Sequence, residues 1–180
     1  MSETQKHTIS ILVENDFGVL ARVAGMFSGR GYNIERLSVA ETIDPEVSRI
    51  TLLVYGDDSV VAQIRNQLEK MVSIIRVVDF CEGEYVDREL MLVKVRFDAE
   101  TRAEVVSIAS IFRAKIVDVG PAVAIIETTG SDEKIAALIR LLRPLGIKEL
   151  ARTGSAALYR GDRLLTAHGA EESSDEENAS

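Results

Sequence analysis

Asn15 and Gly18 are the residues whose types and spacing most readily do chemistry. They lie in Glu14-Asn15-Asp16-Phe17-Gly18-Val19-Leu20, between a run of alternating apolar residues and an amphipathic helical pattern. A strand that turns sharply into a helix leaves the first helical N–H groups without intrahelical acceptors. Those donors sit at the positive end of the helix dipole and suit a carboxylate. Gly18 carries no side chain, so a ligand or a second backbone can approach closely there. Asn15 offers both a donor and an acceptor. Together they have the parts to hold the α-carboxylate and α-ammonium of a free amino acid. The same residues also fit a plainer role, with Asn15 or Asp16 capping the helix and Gly18 permitting the turn.

The rest of the chain must position that turn. Ile9, Ile11 and Val13 alternate and predict a first strand. Leu20, Val23 and Phe27 follow at helical spacing, and Gly29-Arg30-Gly31 should stop that helix. Tyr32 to Glu41 reads as a strand, and Ile50, Leu52 and Val54 as another. Asp57-Asp58-Ser59 can cap a second helix with Val61, Ile64, Leu68 and Met71 inward. Ile75 to Phe80 closes the set. The order is βαββαβ, the split pattern of a ferredoxin-like sandwich, with both helices on one face of an antiparallel sheet.

The second half repeats the pattern. Leu90 to Phe97 is a strand, and Thr101-x-x-Glu104 is a capping box before Val105, Ile108, Ala109 and Phe112. Two short strands, Lys115 to Val119 and Val123 to Glu127, precede a helix from Ser131-Asp132-Glu133, which Pro144 and Gly146 should end. Ile147 to Leu150 and Ser155 to Tyr159 read as two short closing strands. The fold class is therefore α+β, with two ferredoxin-like βαββαβ sandwiches in tandem. The boundaries are 1–82, 83–165 and an acidic, disordered tail at 166–180. Phe97-Asp98-Ala99-Glu100 has no counterpart to Asn15 or Gly18, so the architecture repeats and the candidate site does not. By alternation, Leu12, Leu53 and Tyr55 point away from the first pair of helices, and such an exposed face suggests self-association.

Composition excludes several function classes. The 180 residues carry a net charge of −8, and five of those negative charges lie in the last ten residues. Without them the remainder carries −3, so neither part resembles a phosphate-backbone binder. No apolar run is long enough to span a bilayer. The polar N-terminus lacks an apolar signal core, which predicts a cytoplasmic protein. One cysteine, Cys81, with only His7 and His168, offers no spacing for a thiolate–imidazole metal cluster. No Gly-rich phosphate loop and no nucleophile–base constellation is present.

Asn15-Asp16-Phe17-Gly18-Val19-Leu20-Ala21-Arg22-Val23 at a strand–helix turn resembles the opening of an ACT domain, an amino-acid-binding module. Phe27-Ser28-x-Arg30-Gly31-Tyr32-Asn33-Ile34-Glu35, with Leu37-x-Val39-Ala40, resembles the small regulatory subunits of acetolactate synthase, also called acetohydroxyacid synthase. Asp44-Pro45, Ser48-Arg49, Arg88 to Lys94, Phe112-Arg113, Asp118-Val119, Ala151 to Gly154 and Arg160-Gly161 extend the similarity over nearly all of residues 7–165.

The resemblance implies a non-catalytic role. Small subunits of this family bind and activate a catalytic large subunit, which converts two pyruvates to 2-acetolactate and CO2. They confer feedback inhibition by branched-chain amino acids, typically valine. Thiamine diphosphate, Mg²⁺ and FAD belong to the large subunit, and no cofactor is implied in this chain. Carried over residue by residue, the effector site falls on Asn15, Gly18, Val19 and Leu20. Asn33 and Ile34 would come from the facing copy of an ACT homodimer. The alternative is a free-standing ACT-domain sensor that regulates another partner. Asp16-Phe17 departs from the family pattern and receives no ligand contact. Asn33 could instead be a turn residue after Gly31.

Overall fold

Apolar alternation on three strands and two helical stripes builds the first sheet. The computed structural model describes residues 4–167. Strand β1 (Gln5–Glu14) leads to helix α1 (Val19–Gly29), then β2 (Ile34–Glu41), β3 (Val47–Gly56), α2 (Asp58–Leu68) and β4 (Ile74–Asp79). The strands form an antiparallel sheet in the order β2-β3-β1-β4. Ile9, Ile11 and Val13 face Ile50, Leu52 and Val54 on the helix side, where Val23, Phe27, Ile64 and Leu68 complete a buried core. Each such side chain contributes roughly 1.5–3 kcal/mol when buried. A one-residue slip of register would move the whole strand set to the other face. Asp57 caps α2 as expected, its Oδ1 accepting from the Val60 N–H at 2.9 Å.

A second set follows a one-turn 3-10 segment, Phe80–Glu82: β5 (Tyr85–Arg96), α3 (Arg102–Ile111), β6 (Lys115–Val119), β7 (Val123–Gly130), α4 (Asp132–Gly146) and β8 (Ile147–Tyr159). Its sheet has the corresponding order β6-β7-β5-β8. Met91, Val93 and Val95 pack with Val105, Ile126, Ile135 and Leu138. Both halves are thus ferredoxin-like βαββαβ sandwiches, as expected. Among the described residues, one compact unit gathers those up to Val86 with those from Ala157 onward, and the other is Asp87–Ala156. The second sandwich expected at 83–165 overlaps this second unit. The acidic tail beyond residue 167, with His168, lies outside the described residues.

Five expectations need correction. Pro144 does not end helix α4, which runs through it to Gly146, the residue that does end it as expected, with a φ of 97°; and one continuous strand replaces the two closing strands. Asp16 does not cap α1. Its Oδ1 accepts only from the adjacent Phe17 N–H at 2.7 Å, and Gly18 holds the N-cap position without a side-chain hydrogen bond. The helix-free face of the first sheet is not open either. Leu12 and Leu53 are buried there with Thr8, Ser10 and Thr51, and Tyr55 alone of the three named residues is exposed. On that face the Arg49 guanidinium donates to the carbonyls of Ala157 at 3.2 Å and Leu165 at 3.3 Å. The Tyr159 ring packs 4.7 Å from the buried Phe80 ring. The chain's own late segment therefore reaches this unit, and burial here is no argument for a second copy.

The fifth correction is the capping box. Thr101 makes no side-chain cap to α3. Its hydroxyl donates to the Arg96 carbonyl at 3.0 Å, and Asp98 Oδ1 accepts from the N–H groups of Glu100 and Thr101. Local desolvation works to raise the Asp98 pKa, but these N–H groups, the Thr101 hydroxyl and the Arg96 charge outweigh it and hold the carboxyl below its ordinary value. A depressed folded-state pKa stabilises fully above the unfolded value, and this contribution vanishes as pH falls through the folded value. Urea titrations across acid pH should show wild-type protein losing this increment below the ordinary carboxylate range. Asp98→Ala should lose it at neutral pH and show a flatter acid limb.

Candidate functional site

The turn from β1 into α1 places the predicted residues as follows. Gly18 adopts φ 81°, ψ 1°, a left-handed conformation that favours glycine. A Cβ built there meets nothing within 4 Å, so the space beside it is open. The Val19 N–H bonds weakly to the Asp16 carbonyl at 3.4 Å, and the Arg22 N–H to the Gly18 carbonyl at 3.0 Å. Among the described residues, nothing accepts from the N–H groups of Leu20 or Ala21. The first turn of α1 carries no acidic residue. An uncapped helix end with free donors, a positive dipole end and an open approach is suited to a small anion.

Val19 itself is buried in the core, so only its backbone faces this end, whereas the Leu20 side chain is partly exposed. Asn15 is exposed but engaged. Its Nδ2 donates to the Pro45 carbonyl at 2.8 Å and to Glu41 Oε1 at 3.2 Å, and its Oδ1 accepts from the Ser48 hydroxyl at 2.9 Å. Its backbone N–H bonds to the Glu46 carbonyl at 2.7 Å. Asn15 thus stitches the site turn to the β2–β3 hairpin. One lone pair of Oδ1 remains for a donor. The carboxylate of Glu41 stands beside it, a neighbour that sequence spacing did not suggest. The antiparallel pairing of β2 with β3, which aligns Glu41 with Ser48, was the available clue.

Asn33 and Ile34 are not brought to this turn within one chain. Ile34 pairs with Val54, which in turn pairs with His7 at the opposite end of β1. From His7 to Glu14 is roughly 24 Å at about 3.4 Å per residue. Asn33 is exposed and has a negative φ, so the left-handed turn residue is Gly31, with φ 72°, and not Asn33. A site using both clusters requires two copies.

The match to known proteins covers both halves. A family model described as "AHAS small subunit-like ACT domain" matches residues 9–76, and one described as "Small subunit of acetolactate synthase" matches 88–161. The probable acetolactate synthase small subunit of Archaeoglobus fulgidus is 51% identical over 158 residues, which is 88% of this chain and 99% of that protein. The acetolactate synthase small subunit of Mycolicibacterium smegmatis is 46% identical over 164 residues, 91% of this chain and 96% of that protein. The crystal structure of the acetolactate synthase small subunit from Thermotoga maritima superposes with a TM-score of 0.79 at 41% identity, covering 88% of this chain and 99% of that one. On two matched domains, identity over most of the chain and a shared fold, this chain belongs to the family of acetolactate synthase small subunits.

Proposed function

We propose that this protein binds and activates a catalytic acetolactate synthase large subunit and makes it sensitive to valine, in the biosynthesis of valine, leucine and isoleucine. The observation that carries the ligand part is the open, uncapped N-terminus of α1 behind left-handed Gly18. The N–H groups of Val19, Leu20 and Ala21 take the carboxylate of the amino acid. Asn15 Oδ1 and the Glu41 carboxylate take its ammonium, together with a carbonyl of a second copy. Thiamine diphosphate, Mg²⁺ and FAD act in the large subunit and ask nothing of this chain's residues. The proposed setting is the cytoplasm. No helix among the described residues is long and apolar enough to cross a membrane.

A two-fold pairing of first units through β2 supplies the missing half of the site. β2 is an edge strand of its sheet and exposes Leu37 and Val39. An unpaired edge strand of this kind readily accepts another strand. Antiparallel pairing of β2 with β2 sets the Ile34 end of one copy against the Glu41 end of the other. In the other copy Glu41 holds Asn15. Asn33 and Ile34 then approach the partner's site turn, where Ile34 encloses a short branched side chain. A ligand that bridges two copies binds the pair better than the separate chains, and that difference lets it shift a population. Coupling of about 1–3 kcal/mol to the large subunit is typical of such effectors.

Acetolactate formation should be assayed with a large subunit alone, with this protein alone, and with both, with and without valine. The expected result is no turnover by this protein, a large gain on mixing, and inhibition by valine only in the mixture. Valine binding without any effect on the large subunit would instead identify a free-standing sensor.

A further inference from the structure

We infer that His7, Asp79 and Cys81 form a binding site for a soft divalent cation, with Zn²⁺ the best fit. This site lies away from the Gly18 turn and does not depend on the function proposed above. One imidazole nitrogen, one carboxylate oxygen and the thiol sulfur all lie within 4.8 Å of one another. Tetrahedral zinc with nitrogen, oxygen and sulfur ligands needs separations of roughly 3.3–3.6 Å. Closure of the widest pair by up to about 1.5 Å, with a slight opening of the 2.8 Å His7–Asp79 pair, would assemble the set.

The topology explains the meeting. β1 and β4 are antiparallel neighbours with Ile9 opposite Asp79. Stepping outward from that pair brings residue 7 toward residue 81. The imidazole is buried, and its Nδ1 is held 2.8 Å from Asp79 Oδ2. Nε2 is buried with no partner. Asp79 is itself fixed, because its other oxygen accepts from the Cys81 N–H at 3.0 Å. An ion bound here would take the place of the proton between His7 Nδ1 and Asp79 Oδ2, so that both atoms become ligands beside the Cys81 thiolate.

The three groups line a cavity of about 330 Å³ shared with Asp58 and Arg65. Cys81 is exposed, so an ion has a path in. Thiolate and imidazole together select zinc over hard cations such as Mg²⁺. The cavity leaves room for water in the fourth position.

Metal-free protein should be titrated with Zn²⁺ and Co²⁺. One ion should bind per chain, the Co²⁺ form should show thiolate-to-metal charge-transfer absorption, and excess Mg²⁺ should not compete. Cys81→Ser, at an exposed position, and His7→Gln should each weaken zinc binding at least about tenfold. Cys81 is the chain's single cysteine, so alkylation of the wild-type protein gives an independent readout. Zn²⁺ should slow it at least about tenfold, since a metal-bound thiolate is a poor nucleophile. Equal alkylation rates with and without Zn²⁺, or wild-type zinc affinity in a folded Cys81→Ser protein, would overturn the assignment.

Discussion

Gly18→Asp is expected to abolish valine inhibition of the assembled synthase while leaving its activation by this subunit largely intact. The new carboxylate would stand where the proposed site holds the ligand's carboxylate, and like charges brought together cost several kcal/mol. About 3 kcal/mol corresponds to a roughly hundredfold rise in the valine concentration needed for half inhibition. The substitution also places a side chain at φ 81°, which costs about 1–2 kcal/mol of backbone strain. Gly18→Ala separates the two effects. Its Cβ meets nothing within 4 Å, so it carries the strain without the charge. Valine sensitivity should fall in the order wild type, Gly18→Ala, Gly18→Asp. Full valine inhibition in folded Gly18→Asp protein would remove this turn from the site.

The largest effect on stability is expected from Arg152→Ala in the second unit. The Glu89 side chain is fully buried, and Arg152 grips both of its oxygens, with Nε to Oε1 at 2.8 Å and an Nη2 contact to Oε2. Arg152 Nη2 also donates to Asp132 at 3.1 Å. Burial works against the guanidinium charge, yet hydrogen bonds and charge from Glu89 and Asp132 win and raise its pKa. Removing the arginine strips a buried carboxylate of its main cation, a change that costs about 3 kcal/mol. Glu89→Gln should cost less, because the arginine left behind retains Asp132 and some solvent. Arg152→Lys should fall between, since one ammonium cannot reproduce the planar fork. Urea unfolding with hydrogen exchange over 87–96 and 147–156 reads this order. Wild-type stability in Arg152→Ala would show the pair to be dispensable.

The strand and helix pattern was legible because a single periodicity decided each element. Ile9, Ile11 and Val13 could face only one way once Val23 and Phe27 formed the opposing stripe. The Gly18 turn was legible because a glycine between a strand and a helix has few uses. What spacing could not show were contacts made by residues far apart in the chain. Glu41 reaches Asn15 only through the β2–β3 hairpin, and His7 reaches Asp79 across 72 positions. Leu12 and Leu53 looked exposed because alternation records which face a residue takes, not what later covers that face. The capping box failed for a related reason. Asp98, three residues before Thr101, satisfied the turn first.

The central claim is that one amino acid is held between the Gly18 turn of one copy and the Asn33–Ile34 end of β2 of another. The most direct measurement is a crystal structure of the full chain grown with valine. The expected result is a two-fold pair joined through β2, with the valine carboxylate on the N–H groups of α1 and its side chain against Ile34 of the second copy. Valine bound elsewhere, or held at Gly18 with no second copy contributing, would contradict it.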